Sequence, residues 1–323
     1  MDTFPSPTAL HDRFRGALLG TAVGDALGAP FDGSPTVNAT DLAAWIHADA
    51  PLRWTDDTHM TIGVAESLIA CGGFDGQHMA GRFVANHNAE PWRGYGAGPP
   101  IVFDGLRRGA AWDEPAAALF DGQGSYGNGA AMRAAPAGLF AVHDVADAAH
   151  LARQTARITH AHEFAQDGAA LQSSAVAWLT TAAPTPHWLI ALGLMQELRL
   201  VARTDVFQDK LAAVERLAGN VPVDDAAALL GTGVAAAEAV PAALFAFTRH
   251  IDSFTDAVTC AVQLGGDTDT IAAMTGALAG AFHGATAIPT PWRNRLEASD
   301  RLESLADELF TVAARQRADA ETP

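Results

Sequence analysis

Phe14-Arg15-Gly16-Ala17-Leu18-Leu19-Gly20-Thr21-Ala22-Val23-Gly24-Asp25-Ala26-Leu27-Gly28 carries glycine at every fourth position from Gly16 onward. In a helix that interval lines the glycines up on one ridge, where a second helix can approach closely. Gly276, Gly280 and Gly284 repeat the interval near the other end of the chain. A helical glycine costs about 1 kcal/mol relative to alanine. The two rows therefore imply either backbone packing tight enough to offset the loss or helix breaks where bare backbone is needed. Composition agrees with helices in contact: 49% of residues are apolar, only 7% are aromatic, and the excess is mostly alanine. The expected fold class is all-α.

Outward from these ends, helical periodicity recurs at about residues 60–69, 77–86, 145–157, 166–180, 188–202 and 298–314, and no long period-two pattern competes. The weakly charged stretch 226–247 contains Glu238 and Pro241 and reads as a buried core helix rather than a membrane span. Gly/Pro-rich segments 90–100 and 121–129 are the expected loops, where chemistry usually resides. Segment 184–225 carries no readable motif. No linker divides the chain, so one domain over 1–323 is expected. Its motif-bearing core spans about 12–284, followed by a C-terminal helix and tail over 285–323 that frays at 318–323.

A formal net charge of −17 with only 20 basic residues and no basic cluster argues against nucleic-acid binding. An anionic ligand would need aimed backbone NH groups, an arginine or bound cations to overcome that field. Cys71 and Cys260 lie far apart without zinc-like spacing, and the N-terminus lacks the order of a signal peptide. A cytoplasmic monomer without membrane contact is expected.

Three clusters carry candidate chemistry. Trp54-Thr55-Asp56-Asp57-Thr58 and Gly265-Gly266-Asp267-Thr268-Asp269-Thr270 each precede an apolar helical run. Either could simply cap a helix. Taken together they offer oxygen ligands from two separate segments, as a hard divalent cation requires. The third cluster, Gly122-Gln123-Gly124-Ser125-Tyr126-Gly127-Asn128-Gly129, runs into an expected helix start at Ala130 to Arg133. Its backbone NH groups suit a diphosphate, and Phe120 and Tyr126 offer stacking faces. The alternative is a flexible surface turn. Thr159-His160-Ala161-His162-Glu163 lacks zinc spacing, so His160 bonds either a core carbonyl or a ligand hydroxyl. Asp25 interrupts a small-residue helix and needs a partner if buried, whereas Asp32 lies in a turn.

In order along the chain, Arg15 to Gly20 with Gly24 to Gly28, the Thr55 cluster, Arg93-Gly94-Tyr95-Gly96-Ala97-Gly98, the Ser125 loop, Thr159-His160 and the Asp267 cluster resemble the ADP-ribosylglycohydrolase family. That family includes the dinitrogenase-reductase-activating glycohydrolase and the ADP-ribosyl-arginine and ADP-ribosyl-serine hydrolases. The resemblance implies a compact all-α, multi-helix domain. It implies two magnesium ions, with manganese as the alternative, held by Thr55, Asp56, Asp57, Asp267, Asp269 and Thr270. It implies that Gly94, Gly96, Gly98, Gly124, Ser125, Gly127 and Asn128 hold the diphosphate and nearby ribose, that Phe120 and Tyr126 flank adenine, and that His160 touches the ligand. Asp32, Asp57 and Asp269 are the catalytic candidates, with Asp32 standing where the serine branch has a flap glutamate. The implied partner is an ADP-ribosylated protein or an ADP-ribose-containing small molecule. The expected activity is hydrolysis at the distal ribose with O-linked serine preferred. Arginine-linked, O-acetyl and polymer substrates, or a non-catalytic reader, are the alternatives.

Overall fold

The computed structural model describes residues 4–183, 185–217, 219 and 221–321, with side chains described as far as 316. Helices occupy every expected periodic stretch: Asp56–Cys71, Gly76–Ala89, Val145–Ala156, Glu163–Thr181, His187–Val201 and Ser299–Glu321. No strand forms among the described residues, only isolated bridges. None of the described helices is long and apolar enough to cross a membrane.

Both glycine rows lie on helices that face each other, save Gly284, which caps the end of the second. Pro7–Gly28 runs antiparallel against Thr268–His283, the two descending in step. A Cβ on Gly16 would lie 2.3 Å from the carbonyl oxygen of Gly280, on Gly20 2.1 Å from that of Gly276, on Gly24 2.0 Å from that of Ala272, and on Gly28 2.4 Å from that of Thr268. Tight packing is therefore what Gly16, Gly20, Gly24, Gly28, Gly276 and Gly280 serve, whereas Gly284, at φ 84°, ends the second helix. Both helices are buried along almost their whole length and form the axis of one continuous apolar core. Because the pair is antiparallel, the C-terminal end of the first helix meets the N-terminal end of the second. Asp25 and Asp32 are thereby brought to Asp267 and Asp269.

The C-terminal segment closes over this pair. Arg15 donates to both oxygens of Asp307 at 2.6 Å, and Trp54 and Arg93 both reach Glu297. The helix Ser299–Glu321 runs past the expected fray point at 318; residues 322 and 323 lie outside the described ones.

Three expectations are corrected. Stretch 226–247 is two helices, Val223–Leu230 and Ala236–Arg249, because Gly231 adopts φ 79° and breaks the run at Gly231-Thr232-Gly233. The Ser125 loop leads into a single 3₁₀ turn, Asn128–Ala130, and the next α-helix starts only at Ala135. Any diphosphate binding there thus falls to individual NH groups rather than to a helix dipole. Segment 90–100 is a loop only as far as Ala97, where the helix Gly98–Arg107 begins.

Gly20→Ala is expected to destabilise the protein by about 1–3 kcal/mol, since backbone must shift to admit the methyl. Gly81→Ala is the control, on an exposed helix surface where a Cβ meets nothing within 4 Å, and it should be neutral or stabilising by up to about 1 kcal/mol. Urea unfolding of both variants checks this; equal midpoints would contradict the packing argument.

Candidate active site

Asp25 is completely buried and organises the first acidic segment. Its carboxylate accepts from Thr55 N at 2.9 and 3.0 Å, Thr58 N at 3.0 Å and Thr58 Oγ1 at 2.6 Å, which fastens the start of the helix Asp56–Cys71 to the first glycine helix. Thr55 is indeed the N-cap of that helix, so capping and site-building use the same residue. Arg93 locks the neighbouring loop. It bonds the carbonyl of Trp54, pairs with Glu297 and lies 3.7 Å from the Trp54 ring centroid. Gly94 follows directly, with φ 92° and with its missing Cβ 3.6 Å from Asp56 Oδ1.

The second acidic segment is held by backbone pairing. Gly33 N donates to Gly266 O at 2.9 Å and Gly266 N to Ser34 O at 2.8 Å, so the Asp32 turn is tied to the Asp267 turn. Asp267 N reaches Thr232 O at 2.7 Å, and a Cβ on Gly266 would meet that same oxygen at 2.1 Å. Asp267 occupies the N-cap of Thr268–His283 without capping it; its carboxylate instead accepts from Asn128 Nδ2 at 2.6 Å.

The two segments converge. One ligand oxygen each from Asp32, Asp267 and Asp269 lies within 4.8 Å of the others. Asp57 Oδ2 sits 3.3 Å from Thr55 Oγ1 and 3.4 Å from Thr270 Oγ1. Asp57 Oδ1 is buried with no hydrogen-bond partner. A bare, buried carboxylate oxygen among further carboxylates is costly unless a cation accompanies it, so these residues fit a metal centre. The same crowding shows in their acidities. Burial, then the charge of Asp25, raises Asp56 to about 7. Burial, then Asp25 and Asp267, raises Asp269 to about 9. Asp57 is raised well above the carboxylate range by burial and then by Asp25 and Asp269.

This cluster forms one end of a cleft of about 400 Å³. Gly94, Gly96, Gly98, Ser125, Gly127, Asn128 and His160 line it, as does Phe120. Gly124 and Tyr126 do not. Gly124, at φ 73°, packs its bare Cα against Ala161 and His162, and the 58%-exposed Tyr126 ring stands outside the lining with its centroid 6.0 Å from that of His162. Phe120 and Asp121 are consecutive non-glycine residues with φ 53° and 56°, a strained pair that presents the Phe120 ring at the rim.

Sequence reasoning missed Met60, Met132, Thr159 and Val234 in the lining. Val234 was findable: Gly231-Thr232-Gly233 is a turn signal, and Val234 O accepts from Asn128 N at 2.9 Å, bracing the glycine loop. A larger cavity of about 970 Å³ lies elsewhere, between residues of His187–Val201 and Ala236–Arg249, and contains no acidic cluster.

A carboxylate centre joined to a backbone-lined groove with an aromatic rim matches a known class. The ADP-ribosylglycohydrolase family model matches residues 6–319, and the chain belongs to that family; it is an ADP-ribosylhydrolase. It is 35% identical to ADP-ribosylhydrolase ARH3 of Homo sapiens, over 93% of both chains. It is 26% identical to ADP-ribosylarginine hydrolase Tri1 of Pseudomonas putida, over 95% of this chain and 80% of that one. A solved ADP-ribosylglycohydrolase-related protein complex superposes with TM-score 0.73 at 28% identity, covering 95% of this chain and 99% of the other.

The raised carboxylates set a pH dependence. A carboxylate whose folded value lies above its unfolded one contributes stability at low pH that is lost as pH rises through the folded value. In EDTA, the thermal midpoint should therefore fall as pH rises from about 4, the unfolded carboxylate value, the Asp56 contribution being spent by about 7 and that of Asp269 by about 9, above which the fall levels off. The fall should be smaller in Asp269→Asn. A fall of equal size in wild type and variant would show that these carboxylates do not repel one another as described.

Proposed function

We propose that the protein is a magnesium-dependent hydrolase that releases ADP-ribose from modified protein side chains, with O-linked serine as the preferred linkage. The observation that carries this reading is the meeting of two acidic segments around the unpartnered Asp57 Oδ1 at one end of a glycine-walled cleft. Thr55, Asp56, Asp57, Asp267, Asp269 and Thr270 would hold two ions, magnesium or alternatively manganese. Bound there, the cations would lower the pKa of a water and polarise the distal ribose hydroxyls.

The chain's own residues supply the rest. The backbone of Gly94 to Gly98 and of Ser125 to Asn128 receives the diphosphate and inner ribose, with the Phe120 ring at the adenine end. Asn128 ties that wall to Asp267, so placement of the nucleotide and placement of the reacting ribose are mechanically linked. Glycosidic cleavage builds positive charge at the anomeric carbon, which carboxylates stabilise. Asp32 stands on the solvent-facing side of the cluster, where partial burial and then the charge of Asp267 raise its pKa. That direction favours a group able to carry a proton to the leaving oxygen.

Linkage preference rests on the Gly94 to Gly98 and Gly124 to Gly129 motifs, which are most like the ADP-ribosyl-serine branch, and on the weaker likeness to the arginine hydrolase. Both cysteines are free thiols, in keeping with a reducing cytoplasm, where we place the enzyme as a monomer.

Purified protein with magnesium should release ADP-ribose from a serine-linked peptide and not from the matched arginine-linked peptide, and EDTA should abolish release. Release from arginine alone would overturn the linkage, and binding of free ADP-ribose without any release would make the protein a reader. Asp57→Asn should lower kcat at least about 100-fold, as expected when an ion-holding carboxylate is lost. Asp32→Asn should lower kcat about 100-fold with KM little changed, the signature of an acid–base group; a loss confined to KM would assign Asp32 to binding.

A further inference from the structure

Arg133 is fully buried, yet it pairs with no carboxylate among the described residues. Its Nη1 donates to Gly129 O at 3.1 Å and its Nη2 to Thr155 O at 3.2 Å and Thr159 Oγ1 at 2.8 Å, while Nε has no partner. The guanidinium rests 4.7 Å from the Phe83 ring centroid. A charge buried without a carboxylate in contact is expensive to keep, and desolvation, only partly offset by Tyr95 and the charge of Asp56, lowers Arg133 to about 9. At neutral pH it is still a cation, set behind the glycine wall of the cleft.

Its bonding fixes the direction of a proton chain. A guanidinium only donates, so Thr159 Oγ1 must accept from it. The hydroxyl hydrogen then has one acceptor among the described residues, His160 Nδ1 at 2.7 Å. The reverse arrangement, with Nδ1–H donating, would leave a buried hydroxyl proton unpaired. His160 Nδ1 is therefore bare, and the neutral ring carries its proton on Nε2. Burial, and secondarily the Arg133 charge, lowers His160 to about 3 and keeps that ring neutral. The Nε2 edge lies where side chains are missing: a Cβ on Gly129 would sit 2.9 Å from Nε2, and one on Gly127 would sit 3.5 Å away. Both glycines and His160 line the cleft.

We propose that Arg133 is a positioning residue that, through the Thr159 hydroxyl, locks His160 as an Nε2–H donor aimed at an acceptor oxygen of the nucleotide in the cleft. The ligand role rests on the ADP-ribose reading; the location of the proton does not. In this arrangement a buried cation serves an anionic ligand without touching it. It orients the histidine that does and adds positive potential behind a wall on an acidic protein.

The test is the tautomer of His160, read from two-bond ¹H–¹⁵N correlations of the imidazole rings without ligand and assigned by loss of the signal in His160→Asn. The wild type should show a protonated Nε2 and a bare Nδ1. Thr159→Val, which keeps the side-chain shape, should give mixed tautomers, and Thr159→Ser should restore the single one. Arg133→Met should mix them as well; should it fail to fold, the two Thr159 variants decide. ADP-ribose affinity should fall roughly ten-fold in Thr159→Val and recover in Thr159→Ser, the scale of one lost hydrogen bond to a charged group. Protonated Nδ1 in the wild type, or a tautomer unchanged in Thr159→Val, would overturn the relay. A changed tautomer with unchanged affinity would overturn the donor role. Absence of ADP-ribose binding by the wild type would instead remove the ADP-ribose reading, with the tautomer still deciding the relay.

Discussion

Backbone-to-backbone contact between the helices Pro7–Gly28 and Thr268–His283 is the constraint on which the rest of the structure depends. At each level of the pair a carbonyl oxygen occupies the space that a side chain would need, as Gly20 against Gly276 and Gly24 against Ala272 show. The contact is local in space but joins residues some 250 positions apart in the chain, so chain entropy opposes it and many close contacts are needed to hold it. Once formed, it leaves little freedom at the ends. Gly28 abuts Asp269, and Thr268 Oγ1 bonds Gly28 O at 2.9 Å, so the acidic residues after one helix and before the other must meet.

That meeting creates an electrostatic problem which the fold contains rather than removes. Asp25 is satisfied by four hydrogen bonds from the Thr55 to Thr58 turn, whereas Asp57 keeps an oxygen with no partner at all. The difference separates a carboxylate that shapes the site from one whose lone pairs are left free for a ligand. Behind the glycine wall the imbalance is reversed, with Arg133 buried and no carboxylate in contact with it among the described residues. Acidic at the carboxylate cluster and positive behind its glycine wall, the cleft has a charge pattern that suits a metal-bound diphosphate, despite a net charge of −17 over the chain.

Much of this was legible beforehand where a short motif carries its own geometry. The four-residue glycine period signalled helix contact, and the paired Asp-Thr clusters signalled oxygen ligands converging from two segments. Other features were hidden because their meaning depends on distant partners. Asp25 looked like an interruption in a helix until Thr55 and Thr58 were seen to cap themselves on it. Residues 226–247 read as one apolar helix because alanine and leucine propensity outweighed Gly231-Thr232-Gly233. The turn there is held by Thr232 O and Val234 O, which accept from Asp267 and Asn128, contacts no local pattern encodes.

By itself the sequence determined the all-α class, the family and the residue types able to bind cations, since these follow from periodicity, composition and contiguous motifs. Only the tertiary structure decided which carboxylate is left unpartnered, that Gly124 and Tyr126 stand outside the cleft lining while Phe120 and Val234 stand within it, and that a buried arginine sets the proton on His160. Those outcomes depend on which groups are excluded from water and on which atoms lie within hydrogen-bond reach, and both are properties of packing between distant segments rather than of any one stretch of chain.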